Sequence, residues 1–409
     1  MLNAIWIGFF LLAFAIGLGK WLLFGQADVF PLMMKATFDS AKTGFEIALG
    51  LTGVMTLWLG VMKIGEKAGF LEWLTRLLAP LFCRLMPDVP PNHPALGAIT
   101  MNMAANMLGL DNAATPMGLK AMRELQTLNP TPDTASNAQI LFLVINASSV
   151  TLLPVTIFTY RAQLGAADPT DVFIPILLAT YCSTLVGLVS VALIQKINLF
   201  DRVVLGYLGV ITAAVAGLVG YFAQLDAATM QAQSALLSNF LLFSLLVSFL
   251  AGAVVKKVNA YEAFIEGAKE GFHIAVGIIP YLVAMLVAIG VFRASGGLEA
   301  LMEGVRWLVQ GLGWDTRFVD SLPTALMKPL SGSGSRAMMI ETMRTHGADS
   351  FAGRLASIIQ GSTETTFYVL AVYFGAVGIQ RVRHAVSCGL LADLGGFVAA
   401  VAAAYFFFG

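Results

Sequence analysis

Charge is scarce in this chain. Only 12% of its 409 residues are Asp, Glu, Lys or Arg, against 58% hydrophobic. With a mean hydropathy of +0.80, that scarcity excludes an ordinary soluble domain. Acids and bases balance at 24 each, so no net basic charge argues for nucleic acid as a partner. Histidine is rare too, with four copies, and the three cysteines, Cys83, Cys182 and Cys388, are scattered. No CxxC or Cys/His spacing occurs, so neither a metal site nor a disulfide framework is indicated, and no cofactor is expected. The first residues, MLNAIWIGFFLLAFAIGLGK, lack a basic leader and a clear cleavage site, and read as a retained membrane span.

What the chain has is long apolar runs and an internal repeat. AFIEGAKEGFHIAVG at 263–277 overlays ATFDSAKTGFEIALG at 36–50, matching Lys42 with Lys269, Gly44 with Gly271 and Gly50 with Gly277. The same register pairs Gly69 with Gly296 and Glu72 with Glu299. Small gaps then bring Met117, Met122 and Arg123 onto Met338, Met343 and Arg344, and Ser148 and Thr151 onto Ser362 and Thr365. Chance similarity between apolar helices does not explain charged and Gly positions matching in order. A duplicated membrane protein is the reading, with a site between its halves.

A span needs roughly 20 apolar residues. The clear candidates are 2–24, 138–160, 173–195, 203–223, 236–255 and 385–408, with 38–62, 272–292 and 353–377 less uniform. Segments 70–86 and 298–312 are amphipathic and read as interfacial helices. Segments 94–126 and 318–345 carry Pro, Gly, Asn and Ser that a lipid-facing helix does not tolerate. Re-entrant hairpins or broken helices fit them, with surface loops the alternative for 94–126.

Basic residues orient the chain. Lys63, Lys67, Lys120, Arg123, Lys196, Arg202, Lys256, Lys257, Arg381 and Arg383 read as cytoplasmic, and loops 161–172 and 224–235 as external. Span 173–195 then runs inward and its partner 385–408 outward, so the halves read as inverted, with 203–223 as the odd crossing. Arg336, Arg344 and Arg354 fall outside on this reading, against the rule. The expected fold is all-α and polytopic. Its domains are residues 1–200, a linking helix at 201–227, and 228–409.

Three constellations carry chemistry. In NMAANMLGLDNAATP, Asn102 and Asn106 share a helix face, Gly109 can break the helix, and Asp111, Asn112 and Thr115 precede Pro116, which fits the first turn of a new helix. Free N–H groups at such a start suit a polar solute or ion; simple capping and interhelical contact is the plainer reading. In KPLSGSGSRAMM, Ser331, Ser333 and Ser335 alternate with glycine before Arg336, an anion-receptive turn or else a flexible linker. It is neither a Walker A loop nor a nucleophile elbow. In IIQGSTETTFYVLAVYFG, Gln360, Ser362, Thr363, Glu364 and Thr365 interrupt an apolar stretch. Glu364 at mid-span costs about 2.5–3.5 kcal/mol on insertion scales, so it reads as functional unless it stands at a wet helix end. The first-half counterparts are Asn146, Ser148 and Ser149, with Val150 in place of the acid. Asp393, near Gly389, Gly395 and Gly396, is a secondary candidate.

These motifs also carry a resemblance. LWLGVMKIGEKAG with NMAANMLGLDNAATPMGLKAM looks like spore maturation protein A. YEAFIEGAKEGF, IIPYLVAMLVAIGVFRASG, PLSGSGSRA and GSTETTFYVLAVYFGAVGI look like spore maturation protein B. The chain resembles a fusion of the two, within the nucleoside recognition, or Gate, class, which also appears in ferrous iron transport protein B and resembles parts of concentrative nucleoside transporters. The resemblance implies a multi-pass bacterial inner-membrane protein, linked in spore formers to dehydration of the spore core, and no established substrate. A transporter-like unit for a small polar solute or ion is the first functional expectation. A non-transporting scaffold that docks an envelope partner is the alternative, and association with further copies of the chain is left open. No catalytic dyad or metal cluster argues for an enzyme.

Overall fold

A computed structural model of the protein describes residues 2–108, 111–148 and 151–409; the side chains of residues 2–4, 111–113 and 227 lie outside the description. The first half runs through α1 (Leu2–Phe24), α2 (Val29–Lys67), α3 (Phe70–Leu85), α4 (Pro94–Met107), α5 (Asp111–Thr127), α6 (Asn137–Ser148), α7 (Val155–Gln163) and α8 (Phe173–Gln195). Then come α9 (Arg202–Phe222) and α10 (Ala227–Val255). The second half contains α11 (Ala260–Gly277), α12 (Ile279–Ala294), α13 (Gly297–Gly311), a 3₁₀ turn (Val319–Ser321), α14 (Leu322–Met327), α15 (Gly332–His346), α16 (Phe351–Ser362), α17 (Thr366–Gly375) and α18 (Ala385–Phe408). Among the described residues there is no strand, only an isolated bridge between Thr134 and Arg381. Seven helices there are long and apolar enough to cross a membrane. In lipid every backbone amide must be satisfied internally, and an all-helical integral membrane protein is the result.

The helices divide by surface. Along α9 only Val204 and Phe222 are buried, so its apolar sides are left for lipid. Helix α2, 39 residues long, extends about 58 Å at 1.5 Å per residue, well beyond a hydrocarbon core of roughly 30 Å. It is longer than the expected span 38–62. The span expected at 272–292 belongs to the α11–α12 pair, which bends at Ile278 with Pro280 in the first turn of α12. Helices α3 and α13 are amphipathic as expected. Leu71, Leu74, Phe82 and Leu85 of α3 are buried, as are Leu298, Met302 and Val309 of α13, while Trp73 and Trp307 are exposed. Gly69 and Gly296, matched in the repeat, start these two helices at φ of 88° and 80°. A left-handed start that a side chain would strain is thus used twice.

Repeat-equivalent helices pack on each other, antiparallel. Along α2, Gly44 lies against the Val283 backbone, while Gly271 lies against Met55 and Thr56. Carrying the repeat register forward makes Val283 the counterpart of Thr56, so the two contacts are images of each other. Ser40 meets Gly290, and their counterparts Gly267 and Lys63 meet in turn. The same close approach of small residues is thus made twice along this antiparallel pair. Helices α8 and α18 do the same: Gly187 faces Ala392, Gly395 faces Val186, and Ser183 Oγ donates to the Ala392 carbonyl at 2.9 Å.

At one end of that second pair, Gln195 Nε2 and His384 Nε2 lie 3.0 Å apart. Burial, reinforced by Arg383, pushes the His384 ring below its usual 6.5. The folded chain therefore prefers the neutral ring. The contribution is present above 6.5 and is lost as pH falls through the lower folded value. Wild type should lose more thermal stability than His384→Gln between neutral and mildly acid pH. Parallel pH profiles would show that the ring is irrelevant to stability.

Candidate functional site

Two apolar runs expected as single spans, 138–160 and 353–377, are each broken. Helix α6 ends at Ser148 and α7 begins at Val155 after Pro154; α16 ends at Ser362 and α17 begins at Thr366. Segments 94–126 and 318–345 form hairpins. Helix α4 is buried along most of its length and folds back on α5, and α14 folds back on α15. These are packed elements, which removes the surface-loop reading of 94–126. Helix α5 already begins at Asp111, so Pro116 stands inside it rather than in its first turn.

The breaks survive in an apolar core because their backbone groups find partners elsewhere in the protein. Leu152 N donates to the Met107 carbonyl at 2.8 Å, and Phe367 N to the Pro329 carbonyl at 3.0 Å. In each half the tip of the hairpin thus meets the broken helix. Between halves, Glu364 N donates to the Ala147 carbonyl at 2.7 Å, joining one broken helix to the other. Ends of four interrupted elements converge there, with orphan carbonyls and amides from helix C- and N-termini.

Polar side chains line the crossing in two matched clusters. In the first, Asn102 is fully buried; its Nδ2 donates to the Ala114 carbonyl at 2.7 Å, and its Oδ1 accepts from Asn146 Nδ2 at 2.6 Å. Asn106 Nδ2 reaches the same oxygen at 3.5 Å, a weak contact. In the second, the buried Ser335 hydroxyl has two acceptors in reach of its single proton, the Thr324 carbonyl at 2.8 Å and Gln360 Oε1 at 2.7 Å. Asn146 and Gln360, counterparts in the repeat, therefore each tie a broken helix to a hairpin, Asn146 as donor to the first arm of its hairpin and Gln360 as acceptor from the second arm of its own. Ser148 and Ser362 also match: each donates to the carbonyl three residues back, Ile145 at 3.2 Å and Ile359 at 2.8 Å. Ser331 caps α15 by accepting from Gly334 N at 3.0 Å, and lies 3.2 Å from Ser333 Oγ.

The remaining candidates fall as follows. Thr363 and Thr365 are buried at the second break. Glu364, expected in the middle of a continuous helix, instead sits in the break with an exposed side chain, because Thr363 leaves helical geometry at φ −148° and ψ 171°. Arg336 lies over the Tyr160 ring at 5.8 Å. The side chains of Asp111 and Asn112, and the whole of Ser149, lie outside the described residues.

Three groups escaped the sequence reading. Tyr373 of α17 reaches across to Asn102 and Thr115. Tyr160 of α7 reaches across to Arg336, the repeat counterpart of Thr115. Each half's broken helix thus offers a tyrosine to the other half's hairpin. The repeat register carried from Ser148 and Ser362 puts Tyr160 on Phe374 and Tyr373 on Thr159, so the sequence did not mark the two tyrosines as a pair. The third is Lys328, buried beside the second hairpin tip, whose Nζ donates to the Gln360 carbonyl at 2.8 Å. Among the described residues no group of three or more His, Cys, Asp and Glu side chains could hold a metal ion.

Comparison with known proteins gives this geometry a family. The Gate profile, described as nucleoside recognition, matches residues 48–164 and 275–380, so both hairpin–break units lie in or near its matched regions. Spore maturation protein B of Bacillus subtilis (strain 168) is 47% identical over 175 residues, 42% of this chain and 97% of that protein. Spore maturation protein A of the same organism is 44% identical over 149 residues, 36% of this chain and 76% of that protein. The two match different parts of the chain, as a fusion would. No solved structure matches. The chain is an integral membrane protein of the Gate, or nucleoside recognition, family.

Proposed function

We propose that the protein is an inner-membrane transporter, carrying a small polar solute or ion through the crossing of its hairpin tips and broken helices. The observation that carries this reading is the backbone hydrogen bond from the Glu364 amide to the Ala147 carbonyl, which brings two interrupted helices to one point. Interrupted backbone at membrane depth is kept where protein buries it or where it lines a cavity, and helix ends there can meet charge of either sign. Asn102, Asn146, Gln360 and Ser335 supply fixed donors and acceptors for a polar solute. On this reading residues 1–200 and 228–409 are inverted halves joined by the helix at 201–227. The antiparallel packing of α2 on α11–α12 and of α8 on α18 supports the inversion.

Thermal unfolding of the purified protein against nucleosides, divalent cations and Na⁺ tests the proposal. A ligand that binds only the folded state raises the midpoint, by about 2.7 kcal/mol of stability at a hundredfold excess over Kd. The shift should vanish in Asn102→Ala and Gln360→Ala, and the same ligand should equilibrate into proteoliposomes. If no ligand shifts the midpoint and no flux appears, the scaffold reading replaces this one.

A further inference from the structure

Helix α18 carries one acid, Asp393. The residue is nine-tenths buried. Its Oδ2 accepts from Thr366 Oγ1 at 2.7 Å; the Thr363 hydroxyl also comes near the carboxylate, but Oδ1 is buried without a hydrogen bond of ordinary geometry among the described residues. A buried carboxylate oxygen without a partner is costly, and native proteins fill such a place with a proton, a water or an ion. The surroundings have been cleared for it. A methyl on Gly389 would stand 2.6 Å from Thr366 Cγ2, and one on Gly396 would stand 2.8 Å from Thr363 Cγ2. These two glycines let the second break settle onto α18 on either side of Asp393, so both threonines come close to the carboxylate.

Charge near Asp393 is sparse. Helices α6, α8 and α10 carry no Asp, Glu, Lys, Arg or His; α8 offers Tyr181 and Cys182 as titratable groups. Helix α16 brings Arg354, which is tied to Asp171. Helix α17 brings Tyr368 and Tyr373, the break brings Glu364, and α18 itself adds Cys388 and Tyr405. Lys328 is the cation whose charge reaches Asp393.

We propose that Asp393, with Thr363 and Thr366, forms a binding site for a small monovalent cation, H⁺ or Na⁺, at the second break. Its purpose rests on the transport reading, where cation occupancy would set how the break packs on α18; its chemistry does not. Binding neutralises the orphaned oxygen and leaves Lys328 to answer to the Gln360 carbonyl. The ionised, empty carboxylate instead attracts Lys328 away from it.

Carbodiimide labelling of the native protein in detergent tests this, because the reagent modifies protonated carboxyls in apolar surroundings. Peptide mass mapping should find Asp393 modified, faster as the pH falls. Slowing by NaCl but not by choline chloride would identify Na⁺ as an occupant; equal rates in the two salts would leave the proton as the occupant. Absence of modification at Asp393 across mildly acid to mildly alkaline pH, or a rate indifferent to both pH and Na⁺, overturns the proposal. Asp393→Asn should erase any Na⁺- or pH-dependent shift of the unfolding midpoint, and Thr366→Val should weaken it several-fold. Should Asp393→Asn not fold, the labelling of the native chain still decides. Solute binding lost in Asn102→Ala is read separately, so a failure at Asp393 does not stand for a failure of the transport reading.

Discussion

Replacing Gly267 with alanine should destabilise the protein by about 1–3 kcal/mol or more, the range for overpacking a well-packed contact. A methyl at this position collides with the Leu59 carbonyl oxygen and stands 2.6 Å from Lys63 Cβ. The nearest obstacle is backbone, which cannot rotate away, so α11 must lift from α2. Gly271→Ala should act similarly, because its methyl would stand 2.6 Å from the Met55 carbonyl oxygen. Gly290→Ala should be milder, since it meets the Ser40 hydroxyl, which can change rotamer. Gly277→Ala is the control: nothing lies within 4 Å of its added carbon, and alanine is the better helix former. Thermal unfolding in one detergent should therefore rank Gly267 and Gly271 variants lowest, Gly290 next and Gly277 at or above wild type. Equal midpoints for all four would mean that α2 and α11 do not approach as closely as described.

Removing the Arg161 guanidinium should cost on the order of 3–5 kcal/mol, the usual penalty for breaking a buried ion pair from one side. The Arg161 side chain is fully buried; its Nη1 donates to the Ala348 carbonyl at 2.7 Å, and its Nη2 donates to Asp171 at 2.7 Å and Asp349 at 3.2 Å. Burial pushes the Asp171 carboxyl above its usual range, while Arg161 and Arg354 pull it back. Arg161→Met removes the first of these restraints and strands the Ala348 carbonyl and the buried Asp171 carboxylate, while Asp349 stays in reach of water. The network ties the α7–α8 loop to the α15–α16 loop, across the halves. Its loss should show as a lower unfolding midpoint and faster proteolysis between α15 and α16. Arg161→Met combined with Asp171→Asn should recover part of the loss, because the buried acid then carries no charge that Arg161 must answer. If Arg161→Met alone unfolds at the wild-type midpoint, the network is not a stabilising clasp.

Most of the membrane architecture was legible in residue order. The spans at 2–24, 173–195, 203–223 and 385–408 appear within a residue or so of their expected ends, because an unbroken apolar run of that length has few other stable fates. The repeat was legible as well, since Gly44, Gly271, Gly69 and Gly296 sit where packing or left-handed backbone demands glycine. The interruption between α6 and α7 and the break at 363–365 were not. VINASSVTLLPVTIF and IIQGSTETTFYVLAV read as spans with polar inclusions. Nothing local says that the amide of Glu364 will leave its own helix for the Ala147 carbonyl of the other half. For the same reason Glu364 read as a mid-span acid, although it occupies an exposed break.

The candidate residues divide the same way. Asn102, Asn146, Ser335 and Gln360 stood out as polar groups in apolar surroundings, a property of composition. That Asn146 and Gln360 are paired anchors, that Tyr373 crosses to Asn102, and that Lys328 and Asp393 influence each other depended on the packing of one half against the other. By itself, then, the sequence determined a membrane protein of apolar helices, doubled, with polar interruptions in each half. Hydropathy and glycine placement act within a few turns of chain and carry that information locally. Which interruptions become breaks, and which polar groups meet, was decided only in the tertiary structure. A buried backbone or carboxylate group must find its partner wherever the fold supplies one, and here the partners lie far apart along the chain.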